Sequence, residues 1–129
     1  IGIWSDRIGK LPLITAGWAV LACVEFGFSV DPSLTPALIL FAFYGLFYAL
    51  TEGSARAIIA DIVPSVSRGT AYAVFSTAIG LSVIVGGYGL GRIWETVSPE
   101  LVFRTAAAGS LVGAGVLFAL WRNMARVAR

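Results

Sequence analysis

Glu52 and Arg56 stand four residues apart at the edge of an otherwise uncharged apolar stretch. That spacing puts both on one face of a helix, with the glutamate amino-terminal to the arginine, the better order for an ion pair. Two further acids, Glu25 and Asp61, sit inside or at the end of apolar runs. Charge in such surroundings is expensive, so each position calls for a partner or a purpose. The chemistry open to these groups is charge recognition, proton exchange or mutual neutralisation. Covalent catalysis is not on offer: histidine is absent, Cys23 is the single cysteine, and no constellation of nucleophiles or metal ligands can be assembled. No metal site, cofactor or enzymatic activity is expected, and a single thiol excludes an internal disulfide.

The elements that must position these groups follow from composition. Of the 129 residues, 58% are hydrophobic and 12% charged, where a soluble domain carries about 25% charged residues. This argues against a soluble enzyme or a disordered tail. A net charge of +2 is too small for binding to a phosphate backbone, so no nucleic-acid partner is expected. Asp, Glu, Lys and Arg are absent from Leu11–Val24, Pro32–Thr51, Gly69–Gly91 and Thr105–Trp121. A helix of about 20 apolar residues crosses a hydrocarbon layer of about 30 Å and satisfies its own backbone. The spacing therefore predicts an all-α integral membrane protein with four transmembrane helices, over about 11–29, 36–60, 69–94 and 100–121, and a tail at 122–129. The alternation that a membrane barrel needs is missing.

In this frame Glu25 lies in the last third of the first span, where it is either an interfacial, snorkelling side chain or a proton-coupling carboxylate. Glu52 and Arg56 either neutralise one another, with Arg56 reaching to the surface, or form a polar face lining a water-filled path or gate. Pro36 suits a first helical position, and Ser98 before Pro99 reads as a helix N-cap. With four spans both ends lie on one side. Arg7, Lys10, Arg56, Arg68, Arg122, Arg126 and Arg129 collect there, against Arg92 and Arg104 on the other, a split of seven to two. The excess of basic residues predicts that both ends and the Pro64 loop are cytoplasmic. Trp4, Trp94 and Trp121 fall near span ends, as interfacial aromatics do; Trp18 does not and reads as packing.

Small residues recur at helical spacing. Ser76 and Gly80, Gly87 and Gly91, and Gly109 and Gly113 form small-x-x-x-small pairs. They permit close helix packing, or a hinge or rocking surface. The run Gly86-Gly87-Tyr88-Gly89-Leu90-Gly91 lacks the spacing and the preceding strand of a dinucleotide fingerprint.

The opening, Gly2-Ile3-Trp4-Ser5-Asp6-Arg7-Ile8-Gly9-Lys10, resembles the cytoplasmic loop signature of the major facilitator superfamily, G-x-x-x-D-R-x-G-[RK]-[RK]. It matches at Gly2, Asp6, Arg7, Gly9 and Lys10 and departs at Leu11, where a second basic residue is usual. Ala60-Asp61-Ile62-Val63-Pro64 followed by Arg68-Gly69-Thr70-Ala71 resembles the loop after a facilitator's fourth or tenth helix. Four spans follow the signature, which places the resemblance at the loop after helix eight and helices nine to twelve, part of the carboxy-terminal six-helix bundle. Starting at Ile1, the chain reads as a fragment, with the amino-terminal part of the transporter as a missing partner and the lipid bilayer as its surroundings.

The resemblance implies secondary active transport of a small-molecule solute by alternating access around a midplane site. The proton is the candidate coupling ion, and the membrane would be the bacterial inner (plasma) membrane. It implies that Asp6, Lys10 and Asp61, with Arg68 nearby, form a latch on the cytoplasmic side. The alternative for these charges is a solvated loop that only sets topology. The second span would line the central cavity, with Tyr44, Phe47 and Tyr48 near its midplane. These could contact solute, or simply pack, while Glu52 supplies charge recognition or proton coupling. The rival reading from the residues is a small four-helix membrane scaffold or complex subunit without transport activity.

Overall fold

The structure, a computed structural model, describes residues 9–30 and 33–127. These residues form α1 (Lys10–Val30), α2 (Leu34–Ile62), a short 3-10 turn (Ser65–Ser67), α3 (Arg68–Thr96) and α4 (Pro99–Val127), with no strand among them. The helices have 21, 29, 29 and 29 residues. At 1.5 Å per residue they are about 31 to 43 Å long, enough to cross a bilayer core. All four are apolar enough to do so. Large apolar side chains cover their outer surfaces, among them Leu38, Ile39 and Phe41 on α2 and Val83, Ile84 and Val85 on α3. Such a surface is stable in lipid and not in water.

Helix ends follow the local chemistry. Ser98 Oγ accepts the Leu101 N–H at 3.2 Å, and Pro99 opens α4, so an orphan amide of the first turn is satisfied. Gly9 holds φ at +93°, a conformation that favours glycine, and lets the chain turn into α1. Each helix extends one or two residues past the expected bounds at each end, and α4 runs further at its carboxyl end. α2 begins at Leu34 rather than at Pro36; proline is tolerated there because first-turn amides have no helical acceptor. α4 continues beyond Trp121 to Val127, through the stretch expected to be a tail. Residues 122–126 contain neither Gly nor Pro and include good helix formers, so the ladder persists. The Arg122 guanidinium lies 5.9 Å from the Phe118 ring centroid, one turn back.

α1 is the central element. It packs along α4 on one side and α2 on the other, whereas α3 touches α2 and α4 more sparsely. The neighbours run antiparallel: near one end Phe28 meets Phe41 and Phe103, each at 5.3 Å between centroids, and further along Trp18 meets Phe47 at 6.4 Å. α4 buries Val102, Ala107, Ser110 and Ala114; the last three form a small-residue stripe at three- and four-residue spacing that lets α1 lie close. Glycines on α1 do the same. A Cβ on Gly17 would lie 2.5 Å from Thr51 Cγ2, and one on Gly27 2.7 Å from Leu40 Cδ2.

The close-packing glycines are therefore distributed differently from the expectation. Gly113 meets the Trp18 ring, but its expected pair member Gly109 faces open space, as do Gly80, Gly87 and Gly91. Ser76 is exposed, and α3 buries no residue. A small-x-x-x-small pattern says that a helix can be approached closely, not which helix approaches it. Gly17 and Gly27 stand ten apart and match no such pattern.

Candidate functional site

Along α2, Tyr44, Tyr48, Glu52 and Arg56 recur every four residues and form one polar stripe. Tyr44 and Tyr48 stand at 84° to each other with centroids 5.2 Å apart, and the Tyr44 hydroxyl donates to that of Tyr48 across 3.5 Å. Arg56 Nη2 donates to Glu52 Oε1 at 2.6 Å, and both side chains are about half exposed (53% and 51%). The stripe's direction follows from the residues between. Thr51 meets Gly17 of α1, and the Ala57 carbonyl meets Lys10. Ser54, on that same seam, is 3% exposed. Two residues turn a helix by about 200°, so Glu52 and Arg56 project away from the α1 seam on which Ser54 lies.

The three aromatics divide. Tyr44 and Tyr48 belong to the stripe. Phe47 points to α1, edge-on to Trp18, and takes the packing role while still touching Tyr44 at 5.9 Å and Tyr48 at 5.2 Å. Sequence reasoning missed two groups. Tyr72, one turn into α3, donates its hydroxyl to the Arg56 carbonyl at 3.2 Å and so ties α3 to the stripe. Ser54 Oγ is buried without a hydrogen-bond partner among the described residues; its small size suits the α1–α2 approach. A tyrosine near a span end was the visible signal for Tyr72, but nothing in the sequence indicates its acceptor.

At the other end of α1, charges gather around the carboxyl terminus of α2. Lys10 Nζ forms an ion pair with Asp61 and donates to the Ala57 carbonyl at 3.3 Å. Arg68 donates from Nη2 to the Ala60 carbonyl at 2.7 Å and from Nε to the Val63 carbonyl at 3.1 Å. A helix carboxyl terminus carries unsatisfied carbonyls and partial negative charge, so two cations meet it from different helices. The structure thus brings Lys10 and Asp61 together and sets Arg68 to capping α2. Gly2, Asp6 and Arg7 lie outside the described residues.

Glu25 is half-buried and turned toward α4, where Ser110 Oγ donates to Glu25 Oε2 at 2.6 Å. The site thus contains an exposed ion pair, a phenol pair and a hydroxyl-bound carboxylate. Such groups bind charged or polar solutes and exchange protons. No cluster of three or more metal-ligating side chains occurs among the described residues.

The profile of the Major Facilitator Superfamily matches residues 1–128. The chain belongs to this family. It is 36% identical over 102 residues to an uncharacterised MFS-type transporter of Methanocaldococcus jannaschii, covering 79% of this chain and 25% of that protein. It is 28% identical over 117 residues to a Na(+), Li(+), K(+)/H(+) antiporter of Planococcus maritimus, covering 87% of this chain and 28% of that one. The chain thus spans about a quarter of the length of the curated relatives it matches. No solved structure matches. Family and helices together make this an integral membrane protein of a transporter family, with an all-α membrane fold.

Proposed function

We propose that this chain is the loop after helix eight together with helices nine to twelve of a secondary transporter, and that the whole protein moves a small solute by alternating access. The observation that carries the reading is the stripe of Tyr44, Tyr48, Glu52 and Arg56 along α2, whose Glu52–Arg56 pair projects away from α1. An ion pair half exposed on a membrane helix is costly against lipid and favourable against a water-filled path, so the stripe is read as lining the path. Tyr44 and Tyr48 contact the solute, and Glu52 recognises charge or carries the coupling proton. Lys10 and Asp61 hold the start of α1 to the end of α2 and act as part of the latch on the cytoplasmic side. The seven-to-two excess of basic residues supports cytoplasmic ends, in the bacterial inner membrane.

The Planococcus relative supports monovalent cations and protons as the first pair of ions to assay. The full-length transporter is tested in everted membrane vesicles carrying a pH-sensitive dye, with Na+, Li+ or K+ added in turn. Wild type dissipates the proton gradient on addition of its cation. Glu52→Gln lowers that exchange by about tenfold or more, equivalent to about 1.4 kcal/mol of lost stabilisation. Exchange at the wild-type rate in Glu52→Gln, with equal protein in the membrane, returns Glu52 to a purely structural role.

A further inference from the structure

We propose that Glu25 is a proton-binding site of the transporter, held by Ser110 at the α1–α4 seam and distinct from the Glu52–Arg56 pair. Its use in coupling rests on the transport reading above; its existence does not. The geometry is specific. Ser110 is 5% exposed, and its hydroxyl donates to the carboxylate at 2.6 Å across 85 residues of sequence. A glutamate that merely escaped lipid would extend toward the nearby end of α1. Glu25 instead turns sideways to a buried hydroxyl on the neighbouring helix.

The charges around it make the case. The ion pairs among the described residues are Lys10–Asp61, Glu52–Arg56 and Glu100–Arg104, and Glu25 belongs to none of them. From α4 the group facing it is the Ser110 hydroxyl, while Arg104 is engaged by Glu100. From α2 the titratable group within electrostatic range is the Tyr44 phenol. On α1 itself the other charged residue is Lys10, four turns away and bound to Asp61. Among the described residues the carboxylate therefore has a hydroxyl donor and no cation partner.

A hydroxyl suits both protonation states. Facing the carboxylate, Ser110 donates. When a proton arrives from water, the carboxyl O–H donates to Ser110 Oγ, and the serine hydrogen turns to a carbonyl one turn back on α4. One proton is gained, the charge goes from minus one to zero, no counter-ion is displaced, and the link between α1 and α4 survives. A cation in place of Ser110 would instead hold the carboxylate ionised.

The test is pH-jump infrared difference spectroscopy on the purified full-length transporter in lipid, with no solute added. Protonation of Glu25 produces a carboxyl C=O stretch that is lost in Glu25→Gln, persists in Glu52→Gln, and shifts in frequency in Ser110→Ala. A spectrum that is the same in Glu25→Gln as in wild type overturns the proposal. Where Glu25→Gln does not accumulate, Ser110→Ala decides: a shifted band supports the site, and an unshifted one removes it. The spectrum reads proton binding alone. A wild-type result in the Glu52 exchange assay leaves this site standing, and absence of a Glu25 band leaves transport standing.

Discussion

Substituting Gly113 by alanine tests the α1–α4 seam most sharply. The added Cβ would lie 2.8 Å from Cε3 and 2.9 Å from Cζ3 of Trp18. Carbon atoms in good contact sit about 3.5–4.0 Å apart, so either the helices separate by about 0.7–1 Å or the indole tips away. The indole is rigid and its far side meets Phe47 at 6.4 Å, so retreat disturbs the α1–α2 contact as well. Overpacking of this kind costs about 1–3 kcal/mol, a factor of about 5 to 150 in the folding equilibrium. Ser110 lies three residues before Gly113 on the same face, so the separation also stretches the Glu25–Ser110 hydrogen bond. The assay is sodium dodecyl sulfate titration of the full-length transporter in mixed micelles, run as a double-mutant cycle with Trp18→Leu. Removing the ring should relieve the clash and leave a coupling energy of about 1–2 kcal/mol. Strict additivity, or a Gly113→Ala protein as stable as wild type, would refute the close approach of these helices.

Four further outcomes concern the Lys10 end of α1 and the adjoining end of α2. Asp61→Asn should slow transport measurably while destabilising the protein by about 0.5–1 kcal/mol at most, since the Asp61 side chain is 63% exposed. The exchange Lys10→Asp with Asp61→Lys should recover much of the rate in vesicle assays, and no recovery would argue against their pairing. Gly9→Ala should cost about 1–2 kcal/mol in the same detergent titration, because φ of +93° strains any L side chain. The added Cβ would meet only Pro12 Cδ at 3.6 Å, so a larger loss would point to something other than backbone strain. Arg68→Lys keeps the charge but cannot span the Ala60 and Val63 carbonyls as the guanidinium does. Hydrogen exchange of residues 60–67 should speed up in that variant, and unchanged protection would show that water caps α2 equally well.

The four spans were legible because lipid imposes a coarse demand: each helix needs a long charge-free run, and such runs leave a plain trace in composition. The Glu52–Arg56 pair was legible for a similar reason, since a four-residue spacing within one helix is local geometry. Contacts between helices were much less readable. The glycine pairs on α3 matched a packing pattern, yet the packed glycines are Gly17, Gly27 and Gly113, set against Thr51, Leu40 and Trp18 from distant parts of the chain. The Glu25–Ser110 bond was hidden similarly, because a serine in an apolar helix has a local alternative in its own backbone. Arg68 read as a loop charge, but the carbonyls it caps lie five and eight residues back, a relation fixed by the tight Pro64–Ser67 turn.

Where each acid finds its partner sets how it responds to motion. Glu52 is paired within α2, so its neutralisation is carried along wherever that helix moves. On the transport reading proposed above, this suits a surface that must stay hydrated and discriminating through the cycle. Asp61 and Glu25 are each held from another helix, by Lys10 of α1 and by Ser110 of α4 respectively. Any sliding of α1 against its neighbours must strain these two contacts, one toward each end of the same helix. The sparse packing of α3 against α2 and α4 places no comparable constraint on it. The arrangement therefore divides into a triplet of α1, α2 and α4 locked by cross-helix polar bonds and close glycine contacts, and a fourth helix tethered by its short connections and by the Tyr72 hydroxyl. Within the triplet, a change of charge at Glu25 can be felt as a change in the grip of α1 on α4, whereas, on the transport reading proposed above, a change at Glu52 alters what the path attracts.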